Sequence, residues 1–437
     1  MAVMKHERSM VHWVVWGMLW GICWFAGTAR GAEPLKVIFD TDMDGDNDDV
    51  AAAAILHALA DEGRVEILAM GVVSRCAYSP ACLDAINTYY RRGEIPIGVY
   101  KGSALAEVSS PYAKVVAERC PNDIGLAEKV PDVLKVYRRA LAGEADGAVT
   151  MIAVGQMNNL VDLLSSRADE VSPLAGRELV ARKVTALFVM GPYFSEENEF
   201  HRAYNFTTSP KAAIELVNNW PTKIKFGEGI LGHRHFIESR LKETLAENPV
   251  RIAFEAYFAA EKRNTGKSEN KRHCADPATV MYAVFGKEYF GEVGPGACEV
   301  REDGFTRWNA SRDRQQFYNT QKVEVGKLEE VMEKLLVRMP RPKYQIQTLV
   351  GNGMAGDVPS GGGKAKEICV DLPFGVENGP DGGLFITTVG SHRVLRLDRE
   401  SGEIRSVVGN GRKGNSGDGG PANEASLNEP YEVRFDS

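Results

Sequence analysis

Six aspartates lie within ten positions near the start of the chain. They are Asp40, Asp42, Asp44, Asp46, Asp48 and Asp49, in the run DTDMDGDNDD. Carboxylates this close repel one another, and their pKa values rise unless a cation offsets the charge. Because the run offers oxygen ligands and contains neither His nor Cys, a hard divalent ion suits it best. The run therefore predicts a site for a hard divalent metal ion, with a solvated acidic loop as the alternative.

The neighbouring segments place this acidic run in the turn between a strand and a helix. Val37-Ile38-Phe39 has the continuous apolar pattern of a strand that is buried on both faces. The segment 50–60 is rich in alanine and apolar all round, which is typical of a buried helix. In an open α/β sheet, such a turn lies at the edge where ligands bind.

An EF-hand loop is a second alternative for the same run. Asp40, Asp42, Asp44 and Gly45 match the first six positions of that loop. The EF-hand requires a bidentate Glu at its twelfth position, where this chain has Ala51. It also requires a preceding helix, whereas a strand is predicted here, so the EF-hand is rejected.

Strands and helices alternate from residue 35 to residue 339. After the first strand and helix, strands are predicted at 65–73, 95–100, 149–154 and 184–190, and helices at 82–92, 133–141 and 160–167. This order predicts an open, mainly parallel, doubly wound α/β sheet. The loops that leave the strand ends should then meet at one crevice, and they contain the acidic run, Ser74-Arg75, Val154-Gly155 and Gly191.

The run DTDMDGDNDD, between its strand and its alanine-rich helix, resembles the N-terminal signature of the inosine-uridine-type nucleoside hydrolases. It is most similar to the branch with the loop DTDxGxDxDD, although Asp44 stands where that branch usually has Gly. The segments 80–99, 151–164 and 189–213 are also similar to that family. The resemblance covers residues 35–339 and implies the α/β fold of the family.

The resemblance also implies calcium-dependent hydrolysis of the N-glycosidic bond of ribonucleosides. Such a bond breaks through an oxocarbenium-like transition state, with water attacking opposite the base. The implied calcium ligands are Asp42, Asp46, Asp49, Asp276 and the backbone carbonyl of Val154. The implied substrate-binding residues are Asp48, Asn198, Asn205 and Asp276. Asp42 is in addition the implied general base, and Asp40 is expected to orient the loop by hydrogen bonds.

Each of these roles has a structural alternative. The two asparagines could serve in turns or helix caps, and Val154 could be an ordinary strand end. Asp276-Pro277 has the residues preferred at the N-cap and first position of a helix, and a helix is predicted at 278–285.

The chain differs from the family pattern at the residues that would help the base to leave. Ala275 occupies the place of the family's leaving-group His, and Ala203 replaces the Glu of the asparagine motif. His273, Arg75 or Glu228 could supply an acid instead. Two functions therefore remain open: a calcium-dependent nucleoside hydrolase, and a metal-stabilised nucleoside- or sugar-binding protein of the same fold without turnover.

Residues 1–32 follow the plan of a signal peptide. Lys5 and Arg8 precede an apolar stretch at 11–26, and small residues lead to Ala32. The apolar stretch is shorter than the ~20 residues of a membrane span. We therefore expect export to the periplasm or the medium, with no membrane association after the signal is removed; an uncleaved anchor is the alternative.

Composition adds two further expectations. A net charge of −7 and a pI near 5.8 argue against nucleic acid as a partner, so a small nucleoside is the expected partner. Export permits disulfides, and Cys76–Cys82 and Cys274–Cys298 are candidate bridges, although the spacing leaves the connectivity open.

The C-terminal part differs in composition from the rest. Residues 340–343 predict a linker, and 344–437 are rich in glycine and contain an internal repeat, since QIQTLVGNG at 345–353 recurs as EIRSVVGNG at 403–411. Residues 382–404 predict two strands around a turn and a third strand. The segment resembles NHL-type β-propeller repeats. Since a propeller has about four to eight blades, an incomplete propeller is expected, either truncated or pairing with another copy or another partner.

Overall fold

The computed structural model describes residues 33–195, 197–238, 240–266, 271–341, 347–359 and 361–435. The predicted signal peptide, residues 1–32, lies outside these residues. The chain divides after Arg341 into two compact units. In the described ranges, no helix combines the length and the apolar character needed to cross a bilayer.

The first unit contains the elements of an α/β domain in chain order. Its strands are β1 (Leu35–Thr41), β2 (Val65–Val72), β3 (Ile97–Val99), β4 (Val149–Ala153), β5 (Val184–Met190), β6 (Lys223–Gly227), β7 (Phe236–Glu238), β8 (Lys271–His273), β9 (Phe290–Val300), β10 (Thr306–Asn309) and β11 (Gln316–Gln321). Its helices are α1 (Asp48–Asp61), α2 (Ser79–Tyr89), α3 (Ala113–Arg119), α4 (Val133–Gly143), α5 (Asn158–Ser165), α6 (Gly176–Lys183), α7 (Tyr204–Thr208), α8 (Pro210–Asn219), α9 (Gly229–Arg234), α10 (Pro249–Thr265), α11 (Ala275–Phe285) and α12 (Val325–Leu336).

The central sheet confirms the predicted fold class. Its strands follow the order β10-β9-β11-β6-β5-β4-β1-β2-β3. The strands from β11 to β3 in this order are parallel to their neighbours, and β9 is antiparallel to both β10 and β11 at one edge. Strands β7 and β8 form a separate antiparallel pair. The sheet is therefore open and mainly parallel.

Successive residues of β1 enter two different cores. Val37 and Phe39 pack with α1, α2, α10, α11 and α12, whereas Ile38 packs with α4, α5, α6 and α8. This follows from the two-residue period of a strand, with a helical layer on each face. Because β1 lies between β2 and β4, its carboxyl end has a neighbouring strand on each side.

A glycine in β2 lets α4 reach the end of β1. A Cβ at Gly71 would lie 1.8 Å from the hydroxyl oxygen of Tyr137, so any larger residue would displace this side chain. The buried Tyr137 hydroxyl donates to Oδ2 of Asp40, and Nδ2 of Asn159 donates to the same oxygen at 2.8 Å. Two donors therefore hold Asp40 in place, as expected for a residue that orients the loop.

Several predicted elements form with shifted ends. The helix predicted at 82–92 forms at Ser79–Tyr89, because Pro80 occupies its first turn and favours an earlier start. The strand predicted at 95–100 is shorter, at Ile97–Val99.

The N-cap interpretation of Asp276 is wrong. Helix α11 begins at Ala275 with Cys274 at its N-cap, so Asp276 lies within the first turn. The Asp276 side chain therefore does not cap the helix.

The six cysteines that the structure describes are free thiols. Cys274 belongs to the core on the α1 face, and Cys298 belongs to the core on the opposite face, so the sheet separates them. Cys76 and Cys82 are both buried, and neither candidate bridge is present.

The second unit is a small antiparallel sheet with its own core. Its strands are β12 (Gly363–Lys364), β13 (Pro373–Asn378), β14 (Leu384–Thr388), β15 (Arg393–Leu397) and β16 (Glu403–Val408), in the order β12-β16-β15-β14-β13. The three strands predicted from residue 382 onward are therefore confirmed. Its core contains Ile368, Ile386, Leu395 and Ile404.

The internal repeat has the same hydrogen bonds in both copies. Asn352 donates its backbone N–H to the Ile368 carbonyl at 2.9 Å and its side-chain amide to the Glu367 carbonyl at 3.0 Å. Asn410 makes the equivalent bonds to the carbonyls of Ala425 and Glu424, at 2.9 and 2.8 Å. The GNG sequence therefore specifies one loop conformation twice.

We predict that Tyr137→Phe lowers the free energy of unfolding by about 1–3 kcal/mol, because it leaves the buried Asp40 carboxyl with one donor fewer. Denaturant unfolding measures the change. Tyr289→Phe, at a half-buried position before β9, is the control and should have little effect. An equal effect of the two substitutions would contradict the assigned role of Tyr137.

We also predict that a chain cut after Arg341 unfolds at the same temperature as the first unit of the full chain, because each unit has its own buried core. Circular dichroism of the helices follows this transition. A clearly lower midpoint for the shortened chain would show that the second unit stabilises the first.

Candidate active site

A cavity of about 360 Å³ opens at the carboxyl edge of the parallel sheet. The acidic loop after β1, the residues that follow β4 and β5, and the start of α11 all contribute to its lining. The predicted residues that line it are Asp42, Asp46, Asp48, Asp49, Val154, Asn205 and Asp276. The structure therefore brings together loops that are remote in sequence, as the strand order predicts.

Asp42 and Asp49 are two buried carboxylates of the acidic run, with 7% and 1% of their surface exposed. Nε2 of Gln156 donates to Oδ2 of Asp42 at 2.9 Å. Oδ1 of Asp49 accepts from the Thr41 hydroxyl and from the Met43 backbone N–H. Burial raises the pKa of Asp42 well above its usual range, and the charge of Asp49 raises it further. Burial, together with the charge of Asp48, raises the pKa of Asp49 to about 7.

Asp48 and Asp276 connect the first turns of α1 and α11. The backbone N–H of Asp276 donates to Oδ2 of Asp48 at 3.3 Å, and both residues are buried. The positive end of each helix dipole favours a carboxylate there. Burial and the charge of Asp48 nevertheless raise the pKa of Asp276 well above its usual range. Oδ1 of Asp276 has no hydrogen-bond partner among the described residues.

Asn205 and Val154 contact each other at the same edge. Nδ2 of Asn205 donates to the Val154 carbonyl at 2.7 Å. The next residue, Gly155, allows the loops to approach, since a Cβ there would lie 2.7 Å from the backbone nitrogen of Asp42. A carbonyl oxygen has two lone pairs, so Val154 retains acceptor capacity beside this bond.

Arg272 is a cavity residue that the sequence analysis did not identify. Its Nη2 pairs with the Asp46 carboxylate and lies 3.5 Å from Oδ1 of Asp48. Nη1 donates to the Tyr257 hydroxyl at 3.2 Å. The position of Arg272, four residues before Asp276 in the run KRHCAD, is the sequence signal that could have indicated it.

Two histidines and a tyrosine line another part of the cavity. Nδ1 of His233 lies 2.8 Å from the Gly229 carbonyl, and Nδ1 of His273 lies 3.1 Å from the His233 carbonyl. The Tyr193 hydroxyl contacts the His233 ring at 3.0 Å. Burial and the neighbouring His233 lower the pKa of His273. Apart from His273, these residues were missed, because nothing in the local sequence relates them to the acidic run.

Three other candidates do not line the cavity. Asn198 lies in an exposed turn with a φ of +56°. Arg75 pairs with Glu107 at 2.9 Å. The Glu228 side chain accepts from the backbone N–H of Leu231 at 2.7 Å and caps α9. The substrate-binding role of Asn198 stays a prediction.

The atoms that Asp42, Asp49 and Asp276 could offer to a metal ion suit a hard cation. All are oxygen atoms, as calcium prefers. Their raised pKa values and the unpartnered Oδ1 of Asp276 are the features that a cation would relieve. Within the described ranges, no group of three or more His, Cys, Asp or Glu side chains is already arranged as a metal site. A bound ion would therefore have to draw these carboxylates closer together.

Comparisons with known proteins agree with this architecture. A search of curated proteins finds no match. Among solved structures, the plant nucleoside hydrolase PpNRh1 has a TM-score of 0.51 at 19% identity, over 70% of this chain and 99% of its own. The purine-preferring ribonucleoside hydrolase from Gardnerella vaginalis has a TM-score of 0.52 at 14% identity, over 69% and 98%. The effector protein XOO4466 has a TM-score of 0.52 at 15% identity, over 70% and 94%.

These identities are low, so the structural likeness shows the fold alone. The sequence model of one family matches residues 37–334, which is more than half of the chain. That match spans the acidic loop, Asn205 and Asp276. The protein therefore belongs to the inosine-uridine preferring nucleoside hydrolase family.

Proposed function

We propose that the protein is a calcium-dependent hydrolase of the N-glycosidic bond of ribonucleosides, releasing base and ribose. The observation that carries the proposal is the cavity at the sheet edge, where Asp42, Asp48 and Asp49 meet Asn205 and Asp276. Its volume, about 360 Å³, is at the small end of the range for ligand pockets and suits a nucleoside.

The proposed metal ligands are Asp42, Asp49, Asp276 and the Val154 carbonyl. When bound, calcium supplies a Lewis acid that lowers the pKa of a water molecule and binds the ribose diol. Asp46 was predicted as a further ligand, but its carboxylate pairs with Arg272.

Asp42 acts as the general base in this proposal. Gln156 donates a hydrogen bond to one oxygen atom of Asp42. The other oxygen atom is then the one that accepts the proton. Asp42 takes the proton of the attacking water, which reaches the anomeric carbon on the face opposite the base. Asp48 and Asn205 bind ribose hydroxyls and hold the sugar in the cavity.

The departing base receives little proton assistance from His273. With Nδ1–H donating to the His233 carbonyl, Nε2 of the neutral ring is an acceptor. The lowered pKa of His273 keeps the ring neutral at neutral pH. Ala275 lines the cavity in the place of the family's leaving-group His and offers no proton.

A nucleoside- or sugar-binding protein without turnover is the second candidate, and Ala275 is the residue that favours it. Such a protein would bind nucleosides at this cavity and release no base. A screen of nucleosides with calcium, read by released base and ribose, separates the two functions.

We further propose export after removal of residues 1–32, which is supported by the charge and hydropathy pattern of that segment. For the second unit we propose NHL-type repeats that pair with another copy or another partner. Support comes from the repeated GNG loop and from exposed apolar side chains on β13, at Phe374 and Val376.

We predict that calcium raises the unfolding temperature and that a chelator lowers it. A ligand selective for the folded state stabilises by about 2.7 kcal/mol at 100 times its Kd. Asp276→Asn should remove most of the calcium effect. Asp146→Asn is the control, because Asp146 precedes β4 and lies at the opposite edge of the sheet. Equal midpoints with calcium and with chelator would contradict the metal site.

We also predict that p-nitrophenyl riboside is cleaved at least about 10² times faster than inosine or uridine, since general acid catalysis is typically worth 10²–10⁴ in rate. The nitrophenolate leaves without a proton, whereas a nucleobase needs one. Asp42→Asn should abolish both reactions, because both need an activated water. Similar rates on the two kinds of substrate, with a large loss in His273→Ala, would show that His273 acts as the acid.

A further inference from the structure

We propose that Arg272 is a built-in counter-ion of the acidic loop, which supports the loop without calcium and keeps Asp46 out of the metal's coordination sphere. This inference rests on the calcium site proposed above. It concerns how the chain balances charge in the cavity, and it assigns Asp46 a role different from that of Asp42 and Asp49.

The contacts of Arg272 place its positive charge between two members of the loop. Nη2 pairs with Asp46, 226 positions away in the sequence, and lies 3.5 Å from Oδ1 of Asp48. Among the lining residues in the described ranges, Arg272 is the sole lysine or arginine. It therefore offsets charge that the aspartates would otherwise leave unbalanced.

The position of Arg272 is built into the fold. Strand β8 pairs with β7, and Arg272 lies opposite Ile237 in that ladder. The guanidinium carbon lies 5.5 Å from the centre of the Tyr257 ring, and Nη1 donates to the hydroxyl of the same residue. The Arg272 side chain is 18% exposed. A planar, always charged group held by a ladder and by an aromatic ring is well suited to a fixed ion pair.

Asp46 differs from the other predicted ligands in exposure. Its side chain is 44% exposed, compared with 4% for the neighbouring Asp48. A carboxylate at the rim that is already paired with an arginine has less to gain from a metal ion than an enclosed one. The pairing therefore distinguishes Asp46, at the rim of the cavity, from the enclosed carboxylates that are proposed to bind the ion.

The test uses the full-length protein, freed of metal with a chelator, and compares Arg272→Met with the wild type. Met replaces the aliphatic part of the arginine side chain and carries no charge. Calcium binding is measured by titration calorimetry, and thermal unfolding is measured with chelator and with calcium. We expect a lower unfolding temperature without calcium. We also expect about tenfold tighter calcium binding, because a nearby positive charge has been removed.

Three further variants make the result specific. Arg272→Lys retains the charge and should bind calcium as the wild type does. Asp46→Asn removes one negative charge without removing a ligand, so it should weaken calcium binding by no more than the roughly tenfold by which Arg272→Met tightens it. The double variant Asp46→Asn/Arg272→Met keeps the net charge and should also bind calcium like the wild type. A merely structural arginine would lower stability without tightening calcium binding.

Two outcomes would overturn the inference. A tenfold or larger loss of calcium affinity that is also present in the double variant Asp46→Asn/Arg272→Met would show that Asp46 is a ligand. An unchanged unfolding temperature and calcium affinity in Arg272→Met would show that Arg272 does not balance the loop. If the wild type itself binds no calcium, the proposed metal site is wrong and so is the exclusion of Asp46 from it. The unfolding temperature of Arg272→Met in the presence of chelator then still decides whether Arg272 supports the loop.

Discussion

Mutual repulsion of carboxylates is the constraint on which the cavity depends. The loop after β1 and the first turns of α1 and α11 bring Asp42, Asp48, Asp49 and Asp276 together in enclosed positions. Donors such as Gln156, the N-termini of α1 and α11, and the Arg272 guanidinium offset part of this charge. One arginine does not balance the set, and the raised pKa values of Asp42, Asp49 and Asp276 reflect burial together with the remaining repulsion. This arrangement is locally unfavourable, and the proposed calcium ion would relieve it.

The rest of the sheet holds this arrangement in place. The acidic loop leaves β1 between β2 and β4, where both neighbouring strands and both helical layers restrict its movement. Gly71 admits the Tyr137 hydroxyl to Asp40, and Gly155 admits the backbone of Asp42. A methyl group at either glycine would act directly on the loop. These two positions therefore connect ordinary helix–sheet packing with the geometry of the proposed general base.

The parts of the structure that depend on local pattern could be predicted from the sequence. Buried parallel strands appear in the sequence as runs of apolar residues. Strands β1 to β5, and the sheet edge that carries Asp42 and Val154, could therefore be predicted. Strands β6 and β9–β11 were not, because short or polar strands such as QFYNTQ carry no clear period. The contact of Arg272 with Asp46 is made across the fold, and the sequence carries no sign of that pairing beyond the closeness of Arg272 to Asp276. The start of α11 was misplaced by three residues, because Asp-Pro favours a cap more strongly than this tertiary context does.

The two sides of the cavity differ in how closely they follow the family's pattern. The side proposed to hold and activate water keeps Asp42, Asp49 and Asp276, which lie in the loop after β1 and in the first turns of α1 and α11. The side that would face the base has Ala275 and two histidines whose Nδ1 atoms contact backbone carbonyls. Water activation and leaving-group departure are separate requirements of N-glycoside cleavage. If the proposed function holds, a site that retains the first and weakens the second would select its substrates by how readily their leaving groups depart, more than by how tightly it binds the sugar.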